Sequence, residues 1–328
     1  MDTRFDLISL GEAVVEIFRK DVDVSLYEVG DFIGPYPSGA PAITADTMAK
    51  LGGKAAFIAT VGSDDFGTTL VNRLAGDGVD TSQFVRLDDA MTGLALTSYK
   101  SSGERNFIYN FTTAATAYLK PDYIDADFIA SGRWLHISGN VLAFSETTRQ
   151  AVIKAVDAAY EAGIPVSLDP NIRPEIMKQE TIRALIYPVL QKTRVIIPSV
   201  GELNWIFGND EDEIITELLK TNIELIVRKE GEKGSTFFTQ EGKMYVDAFH
   251  VEEIVDPTGC GDAFCAGVIY GLLRGWSHDK VAVFANAVGG ITATQKGAME
   301  GIGSIDDVMA FLRKNNVNNM FGEDTWKV

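Results

Sequence analysis

Apolar runs rich in β-branched residues alternate with helix-length amphipathic segments along most of the chain. The apolar runs predict strands at residues 5–10, 55–61, 134–137, 165–168, 194–197, 224–227 and 235–238. The segments between them predict helices at residues 42–51, 66–75, 146–162, 180–191, 202–207 and 212–219. Strands that alternate with helices indicate βαβ units and a mostly parallel sheet. Strands that are apolar throughout fit a sheet covered on both faces, so the predicted class is α/β.

Two segments, about 13–37 and 92–113, interrupt this alternation with strand and turn material. In the second, residues 94–99 and 105–111 flank Ser102 and Gly103, which form a turn signal. Extra strands inserted in an α/β domain indicate a small lid. An ordinary edge hairpin would give the same local pattern, so both interpretations stay open here.

Polar clusters follow several of the predicted strands. They are residues 11–12, 62–64, 138–140, 169–171 and 199–202. Ligands of an open α/β sheet bind outside the carboxyl ends of its strands. The shared position of these clusters therefore predicts one site built from several loops.

The charge and cysteine content exclude some classes of function. A formal net charge of −17 argues against a nucleic-acid partner, which requires clustered Lys and Arg. The chain has no run of about 20 apolar residues and no signal-peptide pattern at its start, so no membrane partner is expected. Two cysteines, Cys260 and Cys265, give no disulfide framework, and the expected location is the reducing cytoplasm.

A glycine-rich segment, residues 255–264, leads into the apolar stretch 265–273. A helix that is apolar on most faces must be buried, and its N-terminus carries unsatisfied N–H groups and the positive end of the helix dipole. Gly259 and Gly261 allow a phosphate to approach the backbone closely. The segment therefore predicts a phosphate-binding turn.

Asp262 follows these glycines and has two interpretations. Aspartate is common in the first turn of a helix and needs no chemistry there. A carboxylate beside a phosphate-binding turn can also accept the proton of a hydroxyl that attacks a γ-phosphorus. The local sequence leaves both open.

The stretch Asp-Pro-Thr-Gly-Cys-Gly-Asp at residues 256–262 resembles the second signature of the PfkB, or ribokinase-like, family of carbohydrate kinases. Further resemblance to the family lies at residues 38–53, 61–67, 198–202 and 231–234. The Asp-Pro-Asn-Ile-Arg stretch at residues 169–173 resembles fructokinases and 2-keto-3-deoxygluconate kinases. No G-x-x-x-x-G-K-[ST] or G-x-G-x-x-G phosphate loop is present.

The resemblance implies a three-layer ribokinase-like fold, with a single kinase domain over residues 1–328 and the lid segments inserted in it. It implies an ATP-dependent kinase that phosphorylates a primary hydroxyl of a sugar. ATP and Mg²⁺ are the expected cofactors, and K⁺ is a further candidate.

The resemblance also implies a catalytic set. Asp262 would be the general base, and the backbone amides of Gly259, Cys260 and Gly261 would stabilise the transferring phosphoryl group. Arg173 would reach into the cleft towards a phosphate or a sugar substituent, although it could instead form a structural ion pair with Asp169.

Nucleotide and cation positions follow in the same way. The implied nucleotide-binding residues are Ser199, Lys229, Gly231, Lys233, Gly234, Thr258, Gly259, Gly261 and Asn286. For Asn286, plain helix packing is the alternative. Glu202 would act on Mg²⁺ through water, because magnesium keeps several of its waters. Asp256 and Thr258 would help to hold a monovalent cation.

The sugar is the least determined part of the hypothesis. The implied substrate-binding residues are Glu16, Gly39, Ala40, Thr44, Tyr109, Asn171, Arg173 and Asp262. A carboxylate at Glu16 suits a neutral polyol and would repel an acidic sugar, which favours a ketose such as fructose. The chain departs from the first signature at Ile43, where the family has Asn, and at Ser38, where it has Gly.

Several alternatives remain open at this point. Within the same chemistry, 2-keto-3-deoxygluconate kinase and ribose or nucleoside kinase are the runners-up. A non-catalytic sugar-binding regulator is a different class, which the intact loop at residues 259–262 disfavours. A dinucleotide-dependent dehydrogenase is disfavoured because the glycine fingerprint is missing. Exposed lid strands also predict a homodimer that forms through the lid.

Overall fold

The computed structural model describes residues 3–102, 104–317 and 320–321. Gly103 lies outside the described residues, so the turn predicted there is not tested. The strands of the described chain are β1 (Leu7–Leu10), β2 (Val14–Arg19), β3 (Phe32–Ser38), β4 (Ala55–Gly62), β5 (Phe84–Leu87), β6 (Gly93–Tyr99), β7 (Arg105–Asn110), β8 (Leu135–Ser138), β9 (Val166–Asp169), β10 (Val195–Ile196), β11 (Leu225–Lys229), β12 (Gly234–Thr239) and β13 (Gly242–Asp247). The α-helices are α1 (Ala40–Lys50), α2 (Asp65–Gly76), α3 (Ala126–Ala130), α4 (Glu146–Glu161), α5 (Gln179–Leu190), α6 (Glu202–Phe207), α7 (Glu211–Leu218), α8 (Cys260–Leu273), α9 (His278–Thr292) and α10 (Ile305–Lys314). Short 3₁₀ turns lie at Ala115–Tyr118, Pro121–Tyr123, Gly139–Ala143 and Gly231–Lys233.

The large sheet has the strand order β13-β12-β11-β10-β9-β8-β1-β4-β5. The strands from β5 to β11 in this order pair in parallel, whereas β12 and β13 are antiparallel. Neighbouring residues of a strand point to opposite faces, and each face has its own apolar core. Leu7 and Phe57 pack into the core that contains α8, and Ile8 and Ile58 pack into the core that contains α4. The predicted three-layer α/β architecture is therefore confirmed.

All seven predicted strands of the large sheet are present, with boundaries within two residues of the predicted ones. The sequence reasoning missed β5 and β13. Both are edge strands whose side chains are mostly half-buried or exposed, so neither carries the continuous apolar run that marks a central strand. Among the described residues, no helix combines the length and the apolar character needed to cross a membrane.

A second, four-stranded sheet has the order β3-β2-β6-β7. The central pair, β2 and β6, is parallel, and the two outer pairs are antiparallel. These strands come from the two segments that interrupt the α/β alternation in the sequence. The lid interpretation is therefore confirmed over the edge-hairpin alternative.

Asp64 connects the lid to the large sheet. It is the N-cap of α2, where its Oδ1 accepts the Gly67 N–H at 2.8 Å. The same carboxylate accepts the Thr92 N–H at 2.8 Å and the Thr92 hydroxyl at 2.7 Å, immediately before β6 begins. Burial would raise the pKa of Asp64, but these hydrogen bonds from Thr92 and Gly67 outweigh it and lower the pKa below the usual value. One carboxylate thus holds both a helix start and the entry to the lid.

We expect Asp64→Asn to lower the free energy of unfolding by about 1–2 kcal/mol at pH 7, because the amide nitrogen cannot accept the Thr92 N–H. The folded-state pKa of Asp64 lies below the unfolded value, so its stabilisation is present above the unfolded pKa and is lost as the pH falls through the folded one. The free energy of unfolding is measured by urea unfolding at pH 7 and below about pH 4. The difference between wild type and Asp64→Asn should be smaller at the lower pH. The exposed neighbour Asp65 provides the control, since Asp65→Asn should cost about 0.5 kcal/mol or less. Equal losses in the two variants would contradict the role of Asp64.

Candidate active site

A cavity of about 260 Å³ lies where the carboxyl ends of the parallel strands meet the N-terminus of α8. Its floor comes from the ends of β1, β8, β9 and β11, and the lid strands β2, β6 and β7 form its roof. The predicted site residues that line it are Glu16, Gly39, Ala40, Tyr109, Asn171, Arg173, Ser199, Glu202, Lys229, Thr258, Gly259, Gly261 and Asp262. The fold thus brings the greater part of the predicted site into one enclosure.

The phosphate-binding turn has the backbone that its glycines predict. Gly259 precedes α8 with φ 80°, a left-handed conformation, and a Cβ there would lie 2.8 Å from the carbonyl oxygen of Ala298. The helix begins at Cys260, whose N–H is bonded to the carbonyl oxygen of Pro257 at 3.4 Å, and Gly259, Gly261 and Asp262 around this helix start line the cavity. The N-terminus of a buried helix, the kind of backbone that can bind an anion, thereby borders the cavity.

Asp262 lies in the first turn of α8, beside this anion site. Its Oδ1 accepts a hydrogen bond from Asn171 Nδ2 at 3.4 Å, and no hydrogen bond to its Oδ2 is formed by the described residues. Burial and the neighbouring Asp169 raise the pKa of Asp262 to about 6, whereas Lys229 and Arg173 oppose the rise. At neutral pH the carboxylate is therefore ionised and moderately basic, as a general base requires.

Lys229, at the end of β11, places a positive charge under the same turn. Its Nζ forms an ion pair with Asp169 Oδ2 and lies 3.9 Å from Cys265 Sγ. Burial would lower the pKa of Lys229, but the pairing with Asp169 outweighs it and raises the pKa. A Cβ built on Gly261 would lie 3.5 Å from Nζ, so the ammonium lies close to the start of α8.

Glu202 and Asp169 form an acidic corner of the cavity, and Ser199 lies beside it. The two oxygens of Glu202 each accept a backbone N–H at 2.7 Å, one from Ile172 and one from Ser199. Burial and the charge of Asp169 raise the pKa of Glu202 to about 7. In the described part of the chain, no group of three or more His, Cys, Asp or Glu side chains is arranged to hold a metal ion. The carboxylate oxygens of this corner suit Mg²⁺ as contacts made through water.

On the sugar side, Glu16 is buried and already bonded to the protein. Its Oε1 accepts the Thr97 hydroxyl at 2.6 Å, and its Oε2 accepts the Ser38 hydroxyl at 3.4 Å. Burial raises the pKa of Glu16 to about 7. Ser38 therefore has a role at the position where the family has Gly, and each carboxylate oxygen keeps a further lone pair for a ligand.

Lid side chains close the cavity from above. The rings of Phe107 and Tyr109 on β7 and of Phe111, just after it, follow one another, with centroids 5.2 and 4.8 Å apart. Arg105 starts the same strand and also lines the cavity. Burial would lower the pKa of Arg173, but the nearby Tyr109 and Asp262 outweigh burial and raise the pKa above its usual value. Arg173 is therefore a permanent cation near the lid residue Tyr109 and near Asp262. This position favours the cleft interpretation of Arg173.

Some predicted residues lie behind or beside the cavity. Thr44 is fully buried, and its hydroxyl is bonded to the carbonyl oxygens of Ala40 at 3.1 Å and Asp262 at 3.2 Å. It therefore ties α1 to α8 instead of facing a substrate, which corrects the expectation of a direct contact. Asn286 donates its amide to the carbonyl oxygens of residues 246 and 247. That bonding fits the packing alternative, with only its Oδ1 left for a nucleotide.

The turn at residues 231–234 and the side chain of Asp256 lie outside the cavity wall. Gly231 and Lys233 are exposed, so this turn is accessible to a nucleotide bound beside the cavity. Asp256 accepts the Tyr99 hydroxyl at 2.7 Å and the N–H groups of Thr258 and Gly297 at 3.0 Å each. The lid is thus joined to the phosphate-binding turn through Tyr99.

The predicted site residues did not include Glu12 and Asn140, which are buried polar residues of the cavity wall. Glu12 follows β1 and Asn140 follows β8, and both belong to polar clusters at strand ends. The rule that ligands bind at the carboxyl ends of strands had indicated the clusters at residues 11–12 and 138–140, but it does not single out the side chains that face the cavity.

Comparisons with known proteins agree with this geometry. Residues 5–304 match the pfkB family of carbohydrate kinases. Probable fructokinase-3 of Arabidopsis thaliana is 35% identical over 94% of this chain and 91% of its own length, and fructokinase-1 of Zea mays is 31% identical over 94% and 98%. A crystal structure of an E. coli protein assigned provisionally as ribokinase II, in complex with ATP and Mg²⁺, superimposes with a TM-score of 0.89 at 32% identity and covers 94% of this chain and 99% of its own. This chain therefore belongs to the pfkB family of carbohydrate kinases.

Proposed function

We propose that this protein is an ATP-dependent kinase that phosphorylates a primary hydroxyl of a neutral ketose, with fructose as the leading substrate. The observation that carries the proposal is the position of Asp262, which lines one cavity together with Gly259 and Gly261 at the start of α8 and with Glu16. Similarity to fructokinases over nearly the full chain supports the choice of sugar. The proposed domain is a single one over residues 1–328, with both lid segments inserted in it.

In the proposed reaction, Asp262 accepts the proton as the O–H bond of the sugar breaks and a new O–P bond forms to the γ-phosphorus. The bond between the γ-phosphorus and the bridging oxygen breaks at the same time, and ADP leaves. The amides of Gly259, Cys260 and Gly261, with the ammonium of Lys229, stabilise the charge on the transferring group. Arg173 holds the transferring phosphate between the roof and the base.

The proposed nucleotide contacts are Ser199, Lys229, Thr258 and the turn at residues 231–234. The acidic corner of Asp169 and Glu202 fits Mg²⁺, because buried carboxylate oxygens of raised pKa gain from a nearby cation. Bound Mg²⁺ would neutralise phosphate charge, and Glu202 would orient it through water. For a monovalent cation such as K⁺, we propose the oxygens of Asp256 and Thr258 beside Tyr99.

The preference for a neutral sugar rests on the carboxylates that surround the sugar side. Asp262 lines the same small cavity as Glu16 and Glu12, whose pKa values of about 7 leave them partly ionised at neutral pH, so a sugar carboxylate would meet like charge in a partly desolvated space. Arg105 and Arg173 are the observations that favour the runner-up, 2-keto-3-deoxygluconate kinase, because guanidinium groups pair with carboxylates. The aromatic rings of Phe107 and Tyr109 on β7 suit the apolar face of either sugar.

The proposed assembly is a homodimer formed through the lid, in the cytoplasm. The outer strands β3 and β7 leave edges of the lid sheet without a partner strand in the described chain. Tyr27 is 90% exposed and Ile108 is 54% exposed, and both belong to the lid segments. Exposed apolar side chains beside open strand edges favour a second copy of the same surface.

To test the substrate, ADP release with ATP and Mg²⁺ is measured for fructose, tagatose, ribose, 2-keto-3-deoxygluconate, inositol and nucleosides. We expect fructose to give the highest kcat/KM, because the carboxylates of the cavity accept neutral hydroxyls and repel a sugar acid. Turnover with 2-keto-3-deoxygluconate alone would replace the proposal with the runner-up. ADP release with none of the sugars would overturn it.

Asp262→Asn should lower kcat by about 10²–10⁴-fold, since an amide cannot accept the hydroxyl proton. ATP affinity, measured by calorimetry, should stay within about threefold because the backbone of the turn is unchanged. Cys260→Ala is the matched control on the same turn: it keeps the backbone amide and should keep kcat. Near wild-type turnover in Asp262→Asn would exclude this residue as the base.

The dimer is tested by sedimentation velocity over a hundredfold range of protein concentration. We expect a dimer in the wild type and a monomer in Ile108→Arg, which places a charge on the open lid edge. Tyr187 on α5 is similarly exposed but distant from the lid, so Tyr187→Arg should leave the dimer intact. A wild-type monomer at every concentration would refute this assembly.

A further inference from the structure

A chain of side-chain hydrogen bonds runs along the floor of the cavity and ends at Asp262. Asn171 Nδ2 donates to Asp262 Oδ1 at 3.4 Å and to Ser138 Oγ at 3.1 Å. The Ser138 hydroxyl in turn donates to Asn140 Oδ1 at 2.8 Å. The members come from the carboxyl ends of β8 and β9 and from α8, so the chain crosses the floor from one side to the other.

The other end of the chain is Glu12, immediately after β1. Its Oε1 accepts Asn140 Nδ2 at 2.8 Å and the N–H of Ala40 at 3.2 Å. Ala40 is the first residue of α1 and follows Gly39, which lines the sugar side. A single oxygen of Glu12 therefore joins the sugar-side turn to the hydrogen-bond chain that reaches Asp262.

The two carboxylates determine the direction of every bond in the chain. Oε1 of Glu12 acts as the acceptor for the N–H of Ala40, so Asn140 turns its NH₂ group towards the same oxygen and its Oδ1 towards Ser138. The Ser138 hydroxyl is then used as a donor and accepts from Asn171, whose NH₂ group faces Asp262. Asn171 has φ 43°, a left-handed backbone that asparagine tolerates better than most residues, and its N–H is bonded to Asp169 at 3.1 Å.

The buried environment of the Glu12 carboxyl group is energetically unfavourable. It is 2% exposed, and no described residue gives its Oε2 a hydrogen-bond partner. Burial and the charge of Asp262 raise the pKa of Glu12 to about 7. A buried carboxyl with an unused oxygen destabilises a fold, so packing alone does not account for this residue. Its Oε1 is used by Asn140 and Ala40 and its Oε2 is buried, so the contacts of Glu12 are with its neighbours in the protein.

We infer that Glu12 is a positioning residue of the kinase reaction: it orients Asn140 and the first turn of α1 on the sugar side and, through Ser138 and Asn171, the carboxylate of Asp262. The inference rests on the proposed phosphoryl transfer and adds to it the element that aligns base and sugar. A small misplacement of a base costs a large factor in rate, because the reacting atoms must be aligned.

The test is a double-mutant cycle on fructose phosphorylation by the full chain. Glu12→Ala should lower kcat by about 10- to 100-fold, with the KM for ATP within about twofold of wild type. Asn140→Ala cuts the chain but keeps the bond from Glu12 to Ala40, and it should lose a similar factor. The double variant should lose little more than either single one, because both remove the same connection. Glu12→Gln keeps an oxygen acceptor for both donors and should recover kcat to within about fivefold of wild type.

Glu230→Ala is the control for losing a largely buried carboxylate elsewhere. Glu230 accepts hydrogen bonds from Arg228 and Thr236 outside the cavity, so its loss should lower the Tm and leave kcat unchanged. If Glu12→Ala also lowers the Tm and leaves kcat unchanged, Glu12 has only a structural role and the inference is wrong. The inference is also wrong if the fold-losses of kcat in Glu12→Ala and Asn140→Ala multiply in the double variant. Should Glu12→Ala not fold, Asn140→Ala with wild-type kcat would overturn it. Failure of the proposed function would instead appear as a wild type that is inactive on fructose in the same assay.

Discussion

In the parallel part of the large sheet, the strands deliver their carboxyl ends to one edge, and the N-terminus of α8 faces that edge. Glu12, Asn140, Asp169 and Lys229 come from four different strand ends that are far apart in sequence. They lie around one cavity because parallel strands in register must end together. The N-terminus of α8, the wall that contains Glu16 and the lid each form only one side of the cavity. All three therefore depend on this alignment of strand ends.

The cavity concentrates acidic groups to a degree that a stable protein would ordinarily avoid. Burial raises the pKa of Glu12, Glu16 and Glu202 to about 7 and that of Asp262 to about 6. Lys229 and Arg173 offset part of the repulsion, and Mg²⁺ with ATP would add further positive charge and hydrogen-bond donors. Strain of this kind is typical of functional sites, where local stability is given up for an environment suited to the reaction.

Much of the fold could be read from the sequence, because the signals are local. Continuous apolar runs predicted the central strands of the large sheet, and the polar interruptions predicted the lid. The edge strands β5 and β13 were missed, since a half-exposed strand has no apolar run to reveal it. The glycine-rich turn before Asp262 was predicted with its helix, because Gly259 needs a backbone conformation that few other residues adopt.

The sequence by itself determined the class of the fold, the glycine-rich turn at the start of α8 and the family, since each follows from residues that are neighbours in the chain. Only the tertiary structure decided which polar side chains face the cavity. It directed the hydroxyl of Thr44 to two backbone carbonyls, engaged Asn286 with an edge strand, and brought Glu12 into a hydrogen-bond chain with Asp262. The physical reason is that a polar side chain takes the partner that folding places within about 3 Å of it, and that partner can lie anywhere in the sequence.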